Sequence, residues 1–346
     1  MGNFFSVRNK SGSVSFHLHK KTVIISFILL FFSSLLFIVG LSIGSTVISP
    51  FVVIQQLLGF GTGEHDFTIN TLRLPRALLS LLVGAALAVS GLILQGIVRN
   101  PLASPDIIGI TGGASVGAIT FIVTLSGVVS IKWLPLAAIL GAGLVSIVIY
   151  LLSWKNGITP IRLILIGIGV AAAMNALTTM MIVLSEIASA TKAYLWLTGS
   201  IYGANWQDVY SMLVWVVIFL PLALLFSRTI NVKELGDDVA SGLGVKVQLY
   251  RFFLLFISVA LAGSAVAFAG GIGFVGLIAP HIARKLIGRS VQGLVPVSAL
   301  IGGILVLVAD VIARTAFLPL DIPAGVFTAG IGAPFFIYLL YKNRNL

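Results

Sequence analysis

Three arginines sit where an apolar chain should avoid them. Arg73 and Arg76 bracket Leu74-Pro75 at the mouth of an apolar run, and Arg314 follows Asp310 by four residues near the end of another. That spacing and order let an acid and a base meet on one helix face. Two readings of such arginines are open. They can snorkel, with the stem along lipid and the guanidinium at the interface, or they can form a small cationic patch for acidic groups on an external partner. Asp310 is the one ionisable residue clearly inside an apolar run, and such a residue is a functional candidate by default. Its plainer reading is an anchor for Arg314 at the helix end. Ion-coupled carriers draw on several buried carboxylates or broken-helix ion sites, and one carboxylate argues against that class.

Other chemistry is thin. His281 stands alone at depth, the setting of a histidine hydrogen-bonded to a neighbouring helix rather than of a metal ligand. Gly271, Gly273 and Gly276 spell G-x-G-x-x-G, but between two apolar segments rather than in a βαβ unit, where alone the pattern binds a dinucleotide. There is no G-x-x-x-x-G-K-[ST], so the chain binds no ATP through a P-loop. H-E-x-x-H and G-x-S-x-G are missing too. Zero cysteines exclude disulfides, thiolate metal sites and cysteine nucleophiles. An enzyme reading has no residues to stand on.

The elements that must carry these residues are membrane spans. Of 346 residues, 58% are hydrophobic and 9% charged, against about 25% charged in a soluble domain. Uncharged apolar runs near 22–43, 77–98, 107–127, 133–153, 162–185, 208–227, 251–270, 272–287, 294–313 and 323–341 suit about ten helices. No run alternates with period two, which argues against a barrel, so the fold class is an all-α polytopic membrane protein. With both termini cytoplasmic, 16 Lys and Arg fall inside and 5 outside, as the positive-inside rule requires. The net charge of +11 is thus a topology signal and needs no nucleic acid. Residues 1–21 read as a cytoplasmic tail, 22–341 as one membrane domain and 342–346 as a C-terminal tail. The apolar stretch from Thr22 to Ile43 exceeds a signal-peptide core of about 7–15 residues, so it reads as an uncleaved span.

Small-residue pairs such as Gly84/Ala88, Gly113/Gly117 and Gly302/Val306, with Gly303 nearby, read as close helix contacts. The longest polar insertions are near 44–75 and 186–207 outside and 228–250 inside. The stretch from Val232 to Lys246 is mixed in charge and broken by glycines. It suits one or two short helices with a sharp glycine turn. It reads either as an ordinary cytoplasmic loop, though such loops are usually shorter and plainly basic, or as a loop folded against a cytoplasmic protein.

Several motifs together resemble one family. Arg73-Leu74-Pro75-Arg76, Gly84-Ala85-Ala86, Gly91, Gln95 and Asn100-Pro101-Leu102-Ala103-Ser104-Pro105 are similar to the first signature of FecCD-type ABC importer permeases. The run from Gly273 through Gly276, Pro280 and His281 to Arg284 resembles the second. Asp310, Arg314, Ile322-Pro323, Gly325 and Gly332-Ala333-Pro334 resemble the closing segments. The likeness runs in order over roughly residues 70–341.

The resemblance implies a type II ABC importer permease fold of ten spans in a bacterial cytoplasmic membrane. It implies a second permease chain, identical or related, two cytoplasmic ABC ATPase subunits and an extracytoplasmic substrate-binding protein. The chain itself would hold no cofactor, with ATP and magnesium on the ATPase. Arg73, Arg76 and Arg314 would meet acids of the binding protein, and reversal of Arg73 and Arg76 to Glu is expected to cripple transport without unfolding the chain. Asp238, Ala240 and Gly244 would belong to the coupling loop at 228–250, with Asp238 standing where the family usually has Glu. Asn100, Pro101 and Pro105 would form the inner mouth of the pathway. The cargo implied is an iron–siderophore complex, with haem or cobalamin as alternatives. An ion-coupled secondary transporter is the rival from another class.

Overall fold

The computed structural model describes residues 4–8, 15–61, 63–234, 236–288 and 290–342. Of the cations assigned to the inner side, Lys10, Arg289 and Arg344 lie outside the described residues, as does the C-terminal tail beyond Lys342. An antiparallel hairpin, β1 (Phe4–Arg8) and β2 (Ser15–His19), pairs Phe4 with His19 and Arg8 with Ser15. This hairpin is an addition to the all-α reading, which treated the first 21 residues as a plain tail. Helices then follow in order. They are α1 (Lys20–Ser42), α2 (Pro50–Leu57), α3 (Leu74–Val98), α4 (Ile110–Thr120), α5 (Leu134–Leu152), α6 (Pro160–Val183) and α7 (Ile187–Leu197). The second half holds α8 (Trp206–Leu225), α9 (Ser227–Glu234), α10 (Asp237–Gly242), α11 (Val247–Ala269), α12 (Val275–Ile287), α13 (Val291–Thr315) and α14 (Ala324–Lys342).

Every apolar run carries a helix. Eight helices among the described residues are long and apolar enough to cross a membrane. The run at 107–127 forms a shorter helix, Ile110–Leu125, whose last turn widens into π geometry. The run at 272–287 forms α12, 13 residues long. It is short because residues 270–274 leave helical geometry. Gly270 and Phe274 both take positive φ, +66° and +67°, and the latter is costly for a bulky side chain. Phe274 is held there by α14, where its ring fills the space a side chain at Gly332 would need. The outer insertions are also folded: α2 and a π-helical segment Phe67–Arg73 occupy the first, and α7 the second.

Three helices form the interior. In their most apolar stretches 78% of residues are buried in the Phe67–Val98 helix, 67% in α11 and 61% in α13, against 11% in α1. The other long helices, α1, α5, α6, α8 and α14, turn apolar side chains outward, the reverse of a soluble bundle, because lipid is as apolar as the core. Glycine sets the closest approaches. A methyl group at Gly84 would strike the Gly302 carbonyl, and one at Gly91 would strike the Gly276 carbonyl. Gly113 meets Gly141 in the same manner across α4 and α5. Between these contacts Ser90 donates to the Ser258 carbonyl at 2.9 Å, fixing α3 against α11.

Because these contacts involve backbone, they cannot yield. Gly84→Leu is expected to cost more than the usual ~1–3 kcal/mol of overpacking and to abolish the monodisperse peak in detergent. Gly143→Ala, where an added methyl meets nothing within 4 Å, should leave the peak and melting temperature unchanged. Size-exclusion chromatography with a thermal ramp checks both.

Candidate functional site

Two clusters of charge lie at opposite ends of α3. At the outer end the π-helical turn before Leu74 aims Arg73 back at the C-terminus of α1. Its Nη1 donates to the carbonyls of Leu41 and Ser42 at 2.7 and 3.1 Å, and its Nη2 to that of Thr46 at 2.6 Å. The first two belong to the last turn of α1, where a helix leaves carbonyls without intrahelical partners, and a cation there also suits the helix dipole. Arg73 is 6% exposed. One turn on, Arg76 lies between two carboxylates. Its Nη2 is 2.8 Å from Asp310 Oδ1, and its Nη1 is 2.6 Å from Asp321 Oδ2. The Tyr202 ring covers it, with the centroid 5.8 Å from Cζ.

Asp310 also faces Arg314, at 3.8 Å from Nε, and Arg314 donates onward to the Gly40 carbonyl. The three arginines chosen from the sequence thus stand together, and Asp310 links two of them. Free snorkelling does not describe this arrangement, since each guanidinium has internal partners. Reversal to Glu would place a carboxylate beside Asp310 or beside α1 carbonyls, so it strikes the fold as well as any docking. The residue that sequence reasoning missed is Asp321. It lies in a short loop with nothing to mark it except an acid next to Ile322-Pro323.

At the inner end α3 stops where Arg99 takes positive φ, +57°. Asn100 then accepts the Leu102 amide on its side-chain oxygen at 2.9 Å, folding a tight turn. Asn100 and Pro101 are exposed, whereas Pro105 is buried beside Gly276. Gln95, buried in the last turns of α3, donates to the Gly276 carbonyl at 3.2 Å and accepts from Arg284. His281 sets its ring edge-on to Phe335, with centroids 5.7 Å apart. Among the described residues no group of three His, Cys, Asp or Glu is placed to hold a metal ion.

The inner loop is two short helices, α9 and α10, separated by a turn in which Gly236 takes φ +113°. The turn expected from the glycines is therefore real. Ala240 is fully buried and pins α10 to the bundle, while Asp238, Ser241 and Gly244 are exposed. The acid that ties α10 down is Asp237, which the sequence reading passed over for its neighbour. Its Oδ2 accepts from Arg251 Nη2 at 2.6 Å, and its Oδ1 is 3.6 Å from Arg99 Nη2. Arg251 is 1% exposed and also donates to the Ile158 carbonyl. One carboxylate thereby joins α10 to α3, to α11 and to the α5–α6 turn. A hollow of ≈ 390 Å³ opens beside it, lined by Asp238, Ser241, Lys246 and Gln248 among others.

The chain is similar to known proteins over most of its length. A family model described as the FecCD transport family matches residues 29–342. YfhA of Bacillus subtilis, named for a siderophore transport system permease, is 48% identical over 94% of this chain and 96% of its own length. CbrC of Dickeya dadantii, a permease of an achromobactin transport system, is 46% identical over 89% of this chain and 88% of its own. A solved inward-facing structure, described as a metal-chelate-type ABC transporter, superposes with a TM-score of 0.82 at 34% identity. It covers 93% of this chain and 99% of the other.

The two adjacent acids of α10 should behave differently. Asp237→Asn leaves Arg251 buried without its counter-charge, so a loss of about 2 kcal/mol is expected. Asp238→Asn, at an exposed site, should stay within about 0.5 kcal/mol. Thermal unfolding of the two purified variants in one detergent gives the comparison.

Proposed function

We propose that this chain, which belongs to the FecCD transport family, is the membrane permease subunit of an ATP-driven importer carrying a ferric siderophore chelate inward. The observation that carries the coupling part is the folded inner loop. α10 is anchored through Asp237 and Ala240, yet it turns Asp238, Val239, Ser241 and Leu243 to solvent, with Val239 49% and Leu243 64% exposed. An apolar pair offered by a rigid helix beyond the membrane suits a protein partner, and a cytoplasmic ABC ATPase dimer fits that place. Asp238, Ala240 and Gly244 would then be the coupling residues, and ATP and magnesium would be held by the partner.

A second permease chain is supported by α6. Its middle exposes Gly169, Ala172, Ala173, Asn175, Ala176 and Thr179. A side-chain amide does not face hydrocarbon cheaply, so this face suits another chain or a wet pathway between the two. The inner mouth of that pathway would be Asn100, Pro101 and Pro105. Asp310, the acid inside the helices, is already held by Arg76 and Arg314. It is not free to ligate a bare cation, which favours a cargo that brings its own ligands, as a siderophore does. At the outer end Arg73, Arg76 and Arg314 would receive acids of an extracytoplasmic binding protein. Three arginines against Asp310 and Asp321 leave that end positive.

Transport in this scheme is rocking between outward- and inward-facing states whose affinities for the chelate differ. Mild-detergent purification of the tagged chain should recover a P-loop ATPase in stoichiometric amount. Vesicles holding the complex, supplied with the binding protein, should take up radiolabelled ferric siderophore only when loaded with ATP, and an uncoupler should change nothing. Uptake that survives ATP depletion and collapses with the uncoupler would move the chain into the ion-coupled class.

A further inference from the structure

A guanidinium has two edges that can each take a carboxylate in a forked pair. In Arg76 both are filled, but by acids of very different standing. The Nε/Nη2 edge faces Asp310, with Nε 2.9 and 3.1 Å from its two oxygens. That side chain is 2% exposed and rests on a helix of the core. The Nη1/Nη2 edge faces Asp321, at 2.6 and 2.9 Å. That side chain is 26% exposed, and it rides on the connection between α13 and α14. Its neighbours Phe317, Leu318 and Leu320 are 53%, 52% and 68% exposed. The connection is tied to the flanking helices by the Phe317–Phe327 ring contact and by the Ile322 amide donating to the Ala313 carbonyl. One edge is fixed by burial, and the other is capped by a surface acid on a lightly held loop.

We propose that Asp321 is an internal substitute for the partner's acid. A carboxylate of the docking protein displaces it from the outer edge of Arg76, and the 316–323 connection, which leads directly into α14, is released by the exchange. The inference rests on the docking reading of Arg73, Arg76 and Arg314 and adds to it the residue that sets its strength. Trading one carboxylate for another on the same edge is nearly balanced in energy. The incoming acid therefore competes mainly with the high effective concentration of a tethered one. Asp310 stays in place throughout and keeps the guanidinium aimed outward. Arg73 and Arg314 help at a distance. Arg73 donates to neutral carbonyls of α1 and the following turn, so its charge is not cancelled there, while Arg314 shares Asp310 with Arg76 and donates to the Gly40 carbonyl. Displacing Asp321 leaves the incoming acid facing three arginines against one carboxylate. Docking and loop release are then a single event, reported at the head of α14.

The test uses the assembled transporter in nanodiscs and the purified, ligand-free extracytoplasmic binding protein of the same transport system as probe. Asp321→Asn keeps the shape and removes the competing charge, so the probe should bind on the order of threefold to tenfold more tightly. Arg76→Gln should weaken binding at least tenfold. The chain has no cysteine, so a nitroxide on Leu320→Cys reports the loop alone. It should gain mobility when the probe binds to an otherwise unaltered chain, and be mobile without the probe when Asp321→Asn is added. Unchanged or weaker binding by Asp321→Asn, with Arg76→Gln still crippled, overturns the exchange and leaves docking standing. A loop label that stays immobile in the bound, otherwise unaltered complex also overturns it, whether or not the Asn variant folds. Full binding by both Arg76→Gln and Arg73→Gln removes the docking reading and the exchange with it.

Discussion

The contact of α3 with α13 at Gly84 and Gly302 is the constraint from which the rest of the molecule hangs. Lipid supplies no hydrophobic drive between helices, so dense backbone packing has to hold them together. Once those two glycines touch, the antiparallel register is set. Arg76 lies eight residues from Gly84 in one direction along its helix, and Asp310 lies eight from Gly302 in the other. Both therefore rise about 12 Å from the contact and arrive side by side, where the structure joins them at 2.8 Å. Neither residue makes sense alone. An arginine or an aspartate in that position would be a stranded charge, and the glycines are what guarantee its counterpart.

The same logic extends down α3. Gly91 admits the Gly276 carbonyl, and one turn further Gln95 bonds that carbonyl and receives Arg284. Residues far apart in the sequence thus meet in a fixed order along one helix: Arg76 with Asp310, Gly84 with Gly302, Gly91 with Gly276, and Gln95 with Arg284. The separate motifs that made the family resemblance legible are the two sides of these contacts. Their spacing along the chain is a consequence of helical rise.

What was readable from the residues followed from periodicity and from rare types. Apolar runs marked the helices, small residues marked the close crossings, and glycines in a mixed-charge stretch marked the turn between α9 and α10. What was not readable depended on which way a side chain faces. Asp237 and Asp238 are adjacent and chemically alike, and only the phase of a six-residue helix turns one toward Arg251 and the other to solvent. Arg73 looks the same in a string of letters whether its guanidinium meets water or the carbonyls of α1. Asp321 is invisible because its partner is 245 residues away. The break at 270–274 was legible only as a boundary between two apolar runs, at residue 271: its apolar residues continue the composition of a span while its glycines abandon the geometry.

The distribution of strong contacts also constrains how such a chain can move. α3, α11 and α13 are clamped by backbone contacts through the middle and by buried charges at both ends. Packed interiors of this kind shift between discrete arrangements rather than deforming gradually. The weakly held parts are elsewhere: the exposed faces of α6 and α14, the α13–α14 connection and the outward side of α10. Motion confined to those parts leaves the core intact. The core acts as the rigid body against which those parts can shift.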